Sequence, residues 1–322
     1  MAEEKVKKES IVDVLNKKYG KGTIIGGGQS PDQLDVVKTG SLTLDIATGV
    51  GGNPKGKLIE IYGPESSGKS TLCLHFISEF QKAGEKTMLV DFEQSFDKKY
   101  AKAIGVHVEE LFIAQPETME DGYNIIYEAV LSKEFGLIVL DSQTAMPPKA
   151  SLESEIGDAK MALQARVNND ALRKIKPNLM PTGTTMITIS QLRTNIGGYG
   201  DPNVPSGGNA YKFYADMRYK VSKQLDREHD LNKTTVEIVK NKCAAPFGKA
   251  EFKIKWGFGI DRMQEILDLA VEYKFIIKGG AGWYTIGETK LQGDEKVKEF
   301  LSDNPEYALE LETKVLNKIK EN

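Results

Sequence analysis

The sequence predicts an α/β protein: a mostly parallel sheet flanked by helices, with an N-terminal helical arm and a small α+β C-terminal domain. Three observations predict it. From about Lys57 to Gln191, short apolar runs alternate with amphipathic helical stretches, as buried parallel strands with helical crossovers do. A glycine-rich turn, "GPESSGKST" from Gly63 to Thr71, joins the first of these runs to the first helix. After Gly198 the pattern changes to period-two alternation, the mark of antiparallel strands with one covered face.

Residues 4–19 read as a short amphipathic helix on which Ile11, Val14 and Leu15 share a face, followed by the glycine-rich break "YGKGTIIGGGQSPD". So short a helix ahead of a hinge has little to bury itself against in its own domain. It is either a frayed terminus or an arm that packs on another subunit. "KLIEIYG" reads as a strand and "KSTLCLHFISEFQKAG" as a helix ending at Gly84; "KTMLVDFE" is a strand and "DKKYAKAIG" a helix ending at Gly105. "LFIAQ" is a strand, Thr118–Gly122 opens a helix, "FGLIVLDS" is a strand, "ARVNNDALRKIKPNLM" a helix and "TTMITISQ" a strand. "MRYKVSKQL", "TTVEIVKNK" and "AEFKIKW" alternate with period two; from about Gly259 the helices "MQEILDLAVEYK" and "YALELETKVLNKIK" surround "GGAGWYTI". The expected organisation is an arm over residues 1–31, a core over 32–258 and a C-terminal domain over 259–322.

The 322 residues carry a formal net charge of −3, so no global basic field draws the chain to nucleic acid. Nucleic-acid binding would have to come from local surfaces or from assembly. Two distant cysteines, Cys73 and Cys243, fit neither a disulfide framework nor a zinc site. The charged start "MAEEKVKKES" is no signal peptide, and no apolar run is long enough to span a bilayer. A cytoplasmic protein without a membrane partner is the expectation.

The turn Gly63-Pro64-Glu65-Ser66-Ser67-Gly68-Lys69-Ser70-Thr71 fits the P-loop pattern, in the required place between a strand and a helix. Its glycines let backbone N–H groups curl toward phosphate oxygens, and the helix start adds its positive dipole end. Lys69 would bring a cation to the terminal phosphates of a bound nucleotide, and the Ser70 hydroxyl a ligand for Mg²⁺. Asp141 closes the apolar run "LIVLD", where it would emerge beside the loop and share the Mg²⁺ shell or cap the next turn. Glu93, just past the strand end in "LVDFEQ", is by position either a surface carboxylate or the base for an attacking water. A water-activating base favours hydrolysis over phosphoryl transfer to a second substrate.

Longer stretches carry a resemblance. "EIYGPESSGKST", "KTGSLTLDIATGVGG", "EIGDAKMALQAR", "GGNAYKFYADMR", "VKNKCAAPF" and "NPEYALELETKV" occur in register across nearly the whole chain. Together they closely resemble the bacterial RecA recombinases. The resemblance implies a P-loop NTPase core of RecA type: an ATP- and Mg²⁺-dependent, DNA-stimulated ATPase. Such a protein forms helical filaments on single-stranded DNA, pairs them with homologous duplex DNA and exchanges strands in repair. It implies that Glu93 is the catalytic carboxylate, that Asp97 and Tyr100 hold the adenine edge and face, and that Gln191 is a switch glutamine reading the γ-phosphate. A neutral amide there would pass nucleotide state to the residues that follow, and such coupling is reciprocal.

By the same resemblance two segments contact DNA. One is about Glu155–Ala162 and includes Met161. The other is about Thr194–Gly208: Thr194, Asn195, Ile196, Gly197, Gly198, Tyr199, Gly207 and Gly208, with Arg193 at its start and Asn209 just beyond. Arg166 and Arg173, at helical spacing after the first segment, are candidates for phosphate pairing, and Met161 and Ile196 for wedging between bases. Lys240 and Lys242 alternate in "VKNK", which by itself describes a solvated edge strand; in the family they reach a neighbour's ATP. Phe213 and the arm residues Ile11, Val14 and Leu15 are the expected interface elements. The second DNA segment is about one residue short, Gln94 stands where histidine is usual, "DSQTAMPP" is unusual, and the chain ends in "NKIKEN" without an acidic tail. These departures suggest a divergent member, carried by a phage or plasmid. The competing readings are a ring-forming helicase motor, a small-molecule kinase, and a scaffold that prompts self-cleavage of a LexA-like repressor in the SOS response.

Overall fold

The computed structural model describes residues 10–20, 24, 26, 34–152, 161–194, 203–205, 208–226 and 231–321. The chain divides into two compact units, Met1–Asp35 and Val36–Asn322. In the first, helix α1 (Ile11–Tyr19) starts at Ser10, whose hydroxyl accepts from Val12 N. Asn16 exchanges two hydrogen bonds with the backbone of Ile24. Ile11 and Val14 are exposed, and no residue of α1 is buried.

In the second unit a two-stranded ribbon, β1 (Val36–Val37) with β2 (Asn53–Pro54), brackets the short helix α2 (Leu42–Ala47). The central sheet then builds from β3 (Leu58–Gly63), β4 (Lys86–Asp91), β5 (Leu111–Ala114), β6 (Phe135–Asp141) and β7 (Thr185–Thr194), with helices α3 (Lys69–Lys82), α4 (Lys98–Ile104), α5 (Met119–Ser132), α6 (Lys149–Leu152) and α7 (Met161–Thr182) between them. After β8 (Asn203–Pro205) and α8 (Ala210–Tyr214) come β9 (Met217–Asp226), β10 (Leu231–Asn241), β11 (Lys249–Lys255) and β12 (Gly259–Ile260). The strand order is β12-β11-β10-β9-β3-β7-β6-β4-β5, with β8 paired to β7. From β9 through β5 the neighbours are parallel; β10, β11 and β12 extend the sheet antiparallel.

Both faces of the parallel part are covered, so β3 is buried along its whole length and β6 nearly so, with Glu60 of β3 paired to Arg218. Ile59 and Ile61 share one core with Phe76 and Phe80 of α3. Leu58 shares the other with Ile126 of α5 and with Leu172 and Leu179 of α7. Local signals set the helix starts. Thr118 caps α5 by accepting from Asp121 N, and Asp97 caps α4 by accepting from Lys99 N and Tyr100 N.

The α+β C-terminal segment comprises α9 (Arg262–Glu272), a three-stranded sheet of β13 (Ile277–Lys278), β14 (Trp283–Ile286) and β15 (Thr289–Gln292), α10 (Asp294–Asp303) and α11 (Pro305–Glu321). Its core includes Leu42 of α2. Glu265 of α9 is buried against the start of that helix. Its carboxylate accepts from Ser41 Oγ at 2.7 Å, Thr43 Oγ1 at 2.6 Å, Thr43 N at 3.1 Å and Leu42 N at 3.3 Å. Burial raises the Glu265 pKa, and the Thr43 and Ser41 hydroxyl bonds oppose the shift. A negative charge thus meets the free N–H groups of a helix start.

The sequence reading stops the last parallel strand at Gln191, whereas β7 runs on to Thr194. The extra residues leave the main sheet and pair antiparallel with β8, Leu192 opposite Pro205 and Thr194 opposite Asn203. The base of the second expected DNA segment is therefore a hairpin. Helices α2 and α10 are further additions to the elements read from sequence.

Replacing Glu265 with Ala leaves the Leu42 and Thr43 N–H groups without their side-chain acceptor and removes the main acceptor of two hydroxyls, and should lower stability by about 1–3 kcal/mol in denaturant unfolding. Loss under 0.5 kcal/mol, on the order of a surface change, would contradict this role.

Candidate active site

The parallel register puts Gly63 beside Gln191 and Asp91 beside Asp141, all at the carboxyl edge of the sheet. Ligands bind at this edge in open α/β folds. Here β3 must turn into α3 within five residues, and two glycines make the turn possible. A Cβ on Gly63 would lie 2.2 Å from the carbonyl oxygen of Val221. Gly68 has a φ of 95°, and a Cβ there would lie 2.6 Å from Ile254 Cδ1.

The turn forms one wall of a cavity of about 460 Å³, lined by Glu65, Ser66, Ser67, Gly68, Lys69, Ser70, Thr71, Glu93, Tyr100, Asp141, Ile189, Gln191, Ile254 and Trp256. Lys69 Nζ donates to the carbonyls of Gly63 at 3.1 Å and Pro64 at 2.7 Å. Burial lowers its pKa, and Asp141, Glu93 and Glu65 oppose the shift. The Tyr100 hydroxyl is 3.0 Å from Thr71 Oγ1, which holds its ring against the first turn of α3. Asp97 receives both of its capping bonds on Oδ1.

Asp141 is buried, and its Oδ1 has no hydrogen-bond partner. Its pKa is pushed up to about 6, chiefly by burial and further by Glu93 and Asp91, against the Ser70 hydroxyl bond and the Lys69 charge. A buried carboxylate oxygen without a donor, beside a hydroxyl at a helix start, suits a hard divalent cation. Ser70 and Asp141 therefore fit Mg²⁺. Among the described residues no cluster of three or more His, Cys, Asp or Glu forms a separate metal site.

Glu93 Oε1 accepts from Ser142 Oγ at 2.6 Å and from Gln191 Nε2 at 2.9 Å. Gln191 N in turn donates to Thr144 Oγ1 at 3.0 Å. The candidate base, the candidate switch and the segment after β6 are thereby hydrogen-bonded together.

Lys240 and Lys242 do not line this cavity. Lys240 pairs with Arg218, which also faces Glu60, so Lys240 lies level with a residue three positions before Gly63. That is roughly 10 Å down the strand, and the chain continues from there toward the opposite edge. Lys240 Nζ donates to the carbonyls of Lys212 at 2.8 Å and Phe213 at 3.0 Å, and Lys242 lies 3.8 Å from Asp216. β10 ends at Asn241, so Lys240 lies on the strand and Lys242 just beyond it. Phe213 is 70% exposed on this same opposite edge.

Of the DNA candidates, Arg166 and Arg173 are exposed on α7, which begins at Met161. Arg193 and Thr194 lie on the β7 extension, and Gly208 and Asn209 lead into α8. Asn195, Ile196, Gly197, Gly198, Tyr199 and Gly207, with residues 155–160, lie outside the described residues.

Sequence reasoning missed Ile254, Trp256 and Thr144. The first two reach the cavity only because β10 and β11 fold back beside β9. The tryptophan ending "AEFKIKW" was the available signal.

A cation seated between Ser70 and Asp141 would need the Asp141 carboxylate ionised. Mg²⁺-nucleotide affinity should therefore fall below pH 6, by roughly tenfold per unit at the limit. The comparator is Asp141→Asn, whose remaining pH dependence is the nucleotide's own. A variant and wild type with superimposable pH profiles would contradict the assignment.

Two family models match the chain, the RecA N-terminal domain over residues 6–261 and the RecA C-terminal domain over residues 264–320. The chain is 45% identical over 313 residues to Protein RecA of Porphyromonas gingivalis, covering 95% of this chain and 92% of that protein. It is 46% identical over 311 residues to Protein RecA of Bacteroides thetaiotaomicron, covering 94% of each. It is 46% identical over 312 residues to Protein RecA of Salinispora arenicola, covering 95% of this chain and 89% of that protein. No described helix is long and apolar enough to cross a membrane.

Proposed function

This chain belongs to the RecA family of recombinases, and from that premise we propose that it is a DNA-dependent ATPase that acts as a cytoplasmic filament. The filament assembles on single-stranded DNA, takes up homologous duplex and exchanges strands in repair. The observation that carries the reading is the Gln191–Glu93 hydrogen bond. It joins the phosphate cradle to the strand that continues into the second DNA segment. Similarity to RecA proteins over nearly their whole length does not favour the ring-helicase reading.

The turn from Gly63 to Thr71 cradles the phosphates of ATP with backbone N–H groups and the α3 dipole. Lys69 leaves the Gly63 and Pro64 carbonyls for the terminal phosphates. Tyr100 stacks on the adenine, and the second carboxylate oxygen of Asp97 takes its edge. Mg²⁺, held by Ser70 and Asp141, would supply positive charge at the phosphates. Glu93 receives a proton from the attacking water as the new P–O bond forms and ADP leaves. The terminal phosphate competes with Glu93 for the Gln191 amide. Gln191 then reports nucleotide state along β7 to the DNA segment, and DNA binding reports back by the same link.

Lys240 and Lys242 cannot serve the cradle of their own chain from the far edge of the sheet. They serve a neighbour's, as cations supplied in trans. A head-to-tail contact that does not close yields a helical filament, and many modest contacts then sum along DNA. Phe213 and the arm residues Ile11, Val14 and Leu15 offer apolar surface for that contact, with the arm, core and C-terminal domain divided near residues 31 and 258. Arg166 and Arg173 pair with DNA phosphates. A filament of this kind would also be the surface that prompts self-cleavage of a LexA-like repressor.

ATPase assays with and without single-stranded DNA, alongside negative-stain imaging, test the reading. DNA-stimulated turnover with helical filaments is expected; unstimulated turnover with closed rings would overturn it. Glu93→Gln should keep nucleotide and DNA binding and lose on the order of 10²-fold or more in turnover; wild-type turnover would remove Glu93 as the base. Lys69→Ala and a Lys240→Ala/Lys242→Ala double variant should each be inactive alone. Mixed equally, they should regain activity, because roughly a quarter of the joints in a random head-to-tail polymer are intact. No recovery in mixed filaments would place the lysines outside the neighbour's site.

A further inference from the structure

Beneath the active site runs a second set of hydrogen bonds that the proposed mechanism does not use. Gln143 lies between Ser142, which donates to Glu93, and Thr144, which accepts from Gln191 N. Its side chain is fully buried. Gln143 Oε1 accepts from Asn168 Nδ2 of α7 at 3.1 Å. Asn168, also fully buried, accepts through Oδ1 from the Tyr123 hydroxyl of α5 at 2.5 Å. The Tyr211 hydroxyl of α8 lies 2.7 Å from that of Tyr123. Tyr123 spends its proton on Asn168, so Tyr211 is the donor in this last pair. One turn before Asn168, Gln164 Nε2 donates to the Gln143 carbonyl at 3.1 Å.

The helices at the far end of this chain are α7 and α8, one immediately after each segment assigned to DNA. The chain entering α8 also packs closely on α7: a Cβ on Gly208 would lie 2.7 Å from Ala165 Cβ. A shift of either helix start must strain Tyr211–Tyr123–Asn168–Gln143, because each group is buried and a hydrogen bond weakened there is costly. At the other end the strain falls on residues 142–144, which hold Glu93 and Gln191.

We propose that Gln143 and Asn168 are positioning residues that couple the two DNA segments to the Glu93–Gln191 pair. The proposal rests on the DNA-dependent ATPase reading and deepens it. Nucleotide and DNA states are linked in both directions through β7, and this side-chain route adds a second link between the DNA segments and the base.

The test uses the full chain and compares turnover with and without single-stranded DNA, KM for ATP, and thermal midpoint. Asn168→Leu strands the Gln143 and Tyr123 polar groups. It should lower the midpoint and reduce DNA stimulation by about 3- to 30-fold, with basal turnover and KM unchanged. Because that variant is at risk of misfolding, the Gln143→Leu/Asn168→Leu double variant is the decisive one. Removing both amides relieves the stranded Gln143 but not Tyr123, so the midpoint should recover in part, while DNA stimulation stays low. Tyr211→Phe, which deletes only the terminal hydroxyl, should reduce stimulation by less. Recovery of stimulation together with stability in the double variant would show a structural role alone and overturn the proposal, as would wild-type stimulation in Tyr211→Phe and Asn168→Leu alike. Absence of DNA stimulation in the wild-type protein would instead overturn the ATPase reading itself.

Discussion

One carboxylate oxygen, Oε1 of Glu93, accepts from both Ser142 and Gln191, and most of what the fold achieves can be traced to that junction. Its three residues come from just past the ends of β4 and β6 and from within β7. They meet because the parallel register brings the carboxyl ends of these strands side by side. Antiparallel neighbours would have put alternate strand ends on opposite edges. The same edge supplies the turn at the end of β3, so the proposed phosphate cradle, the proposed water-activating carboxylate and the strand proposed to lead toward DNA are adjacent without any loop reaching far.

The opposite edge is equally defined by topology. β10 runs against β9, so its end points away from the cradle and carries Lys240 and Lys242 with it. Within one chain these cations rest on the carbonyls closing α8 and near Asp216. Burial lowers the Lys240 pKa, and Lys242 and Arg218 add to the shift. A cation already partly desolvated gives up less water when it meets a phosphate. The distance from the lysines to their own cradle is thus the physical reason for reading the active site as shared between subunits.

Much of this was legible in the sequence, where the code is local. The apolar character of β3 and β6, the glycines around Lys69 and the polar start of α5 at Thr118 are short-range signals that context reinforced. Glu93 and Asp141 were placed by their position after apolar runs. Long-range geometry was not legible. Nothing near Gln191 signals that β7 leaves the sheet to pair with β8, nor that Trp256 and Ile254 close the cavity across the antiparallel extension. Glu265 reads as an ordinary helix carboxylate until α9 is packed on α2. Asn168 reads as a polar interruption of α7 until Gln143 and Tyr123 are found beside it.

A shared site of the kind proposed requires that the next subunit complete the cradle and that nucleotide release Gln191 from Glu93. A cryo-electron microscopy structure of the filament on single-stranded DNA with a non-hydrolysable ATP analogue tests it most directly. The account predicts Lys240 and Lys242 of one subunit at the terminal phosphate held by Lys69 and Ser70 of the next, with the Gln191 amide turned from Glu93 to that phosphate. Lysines still seated on Lys212, Phe213 and Asp216, with the Glu93–Gln191 bond intact beside bound nucleotide, would contradict it.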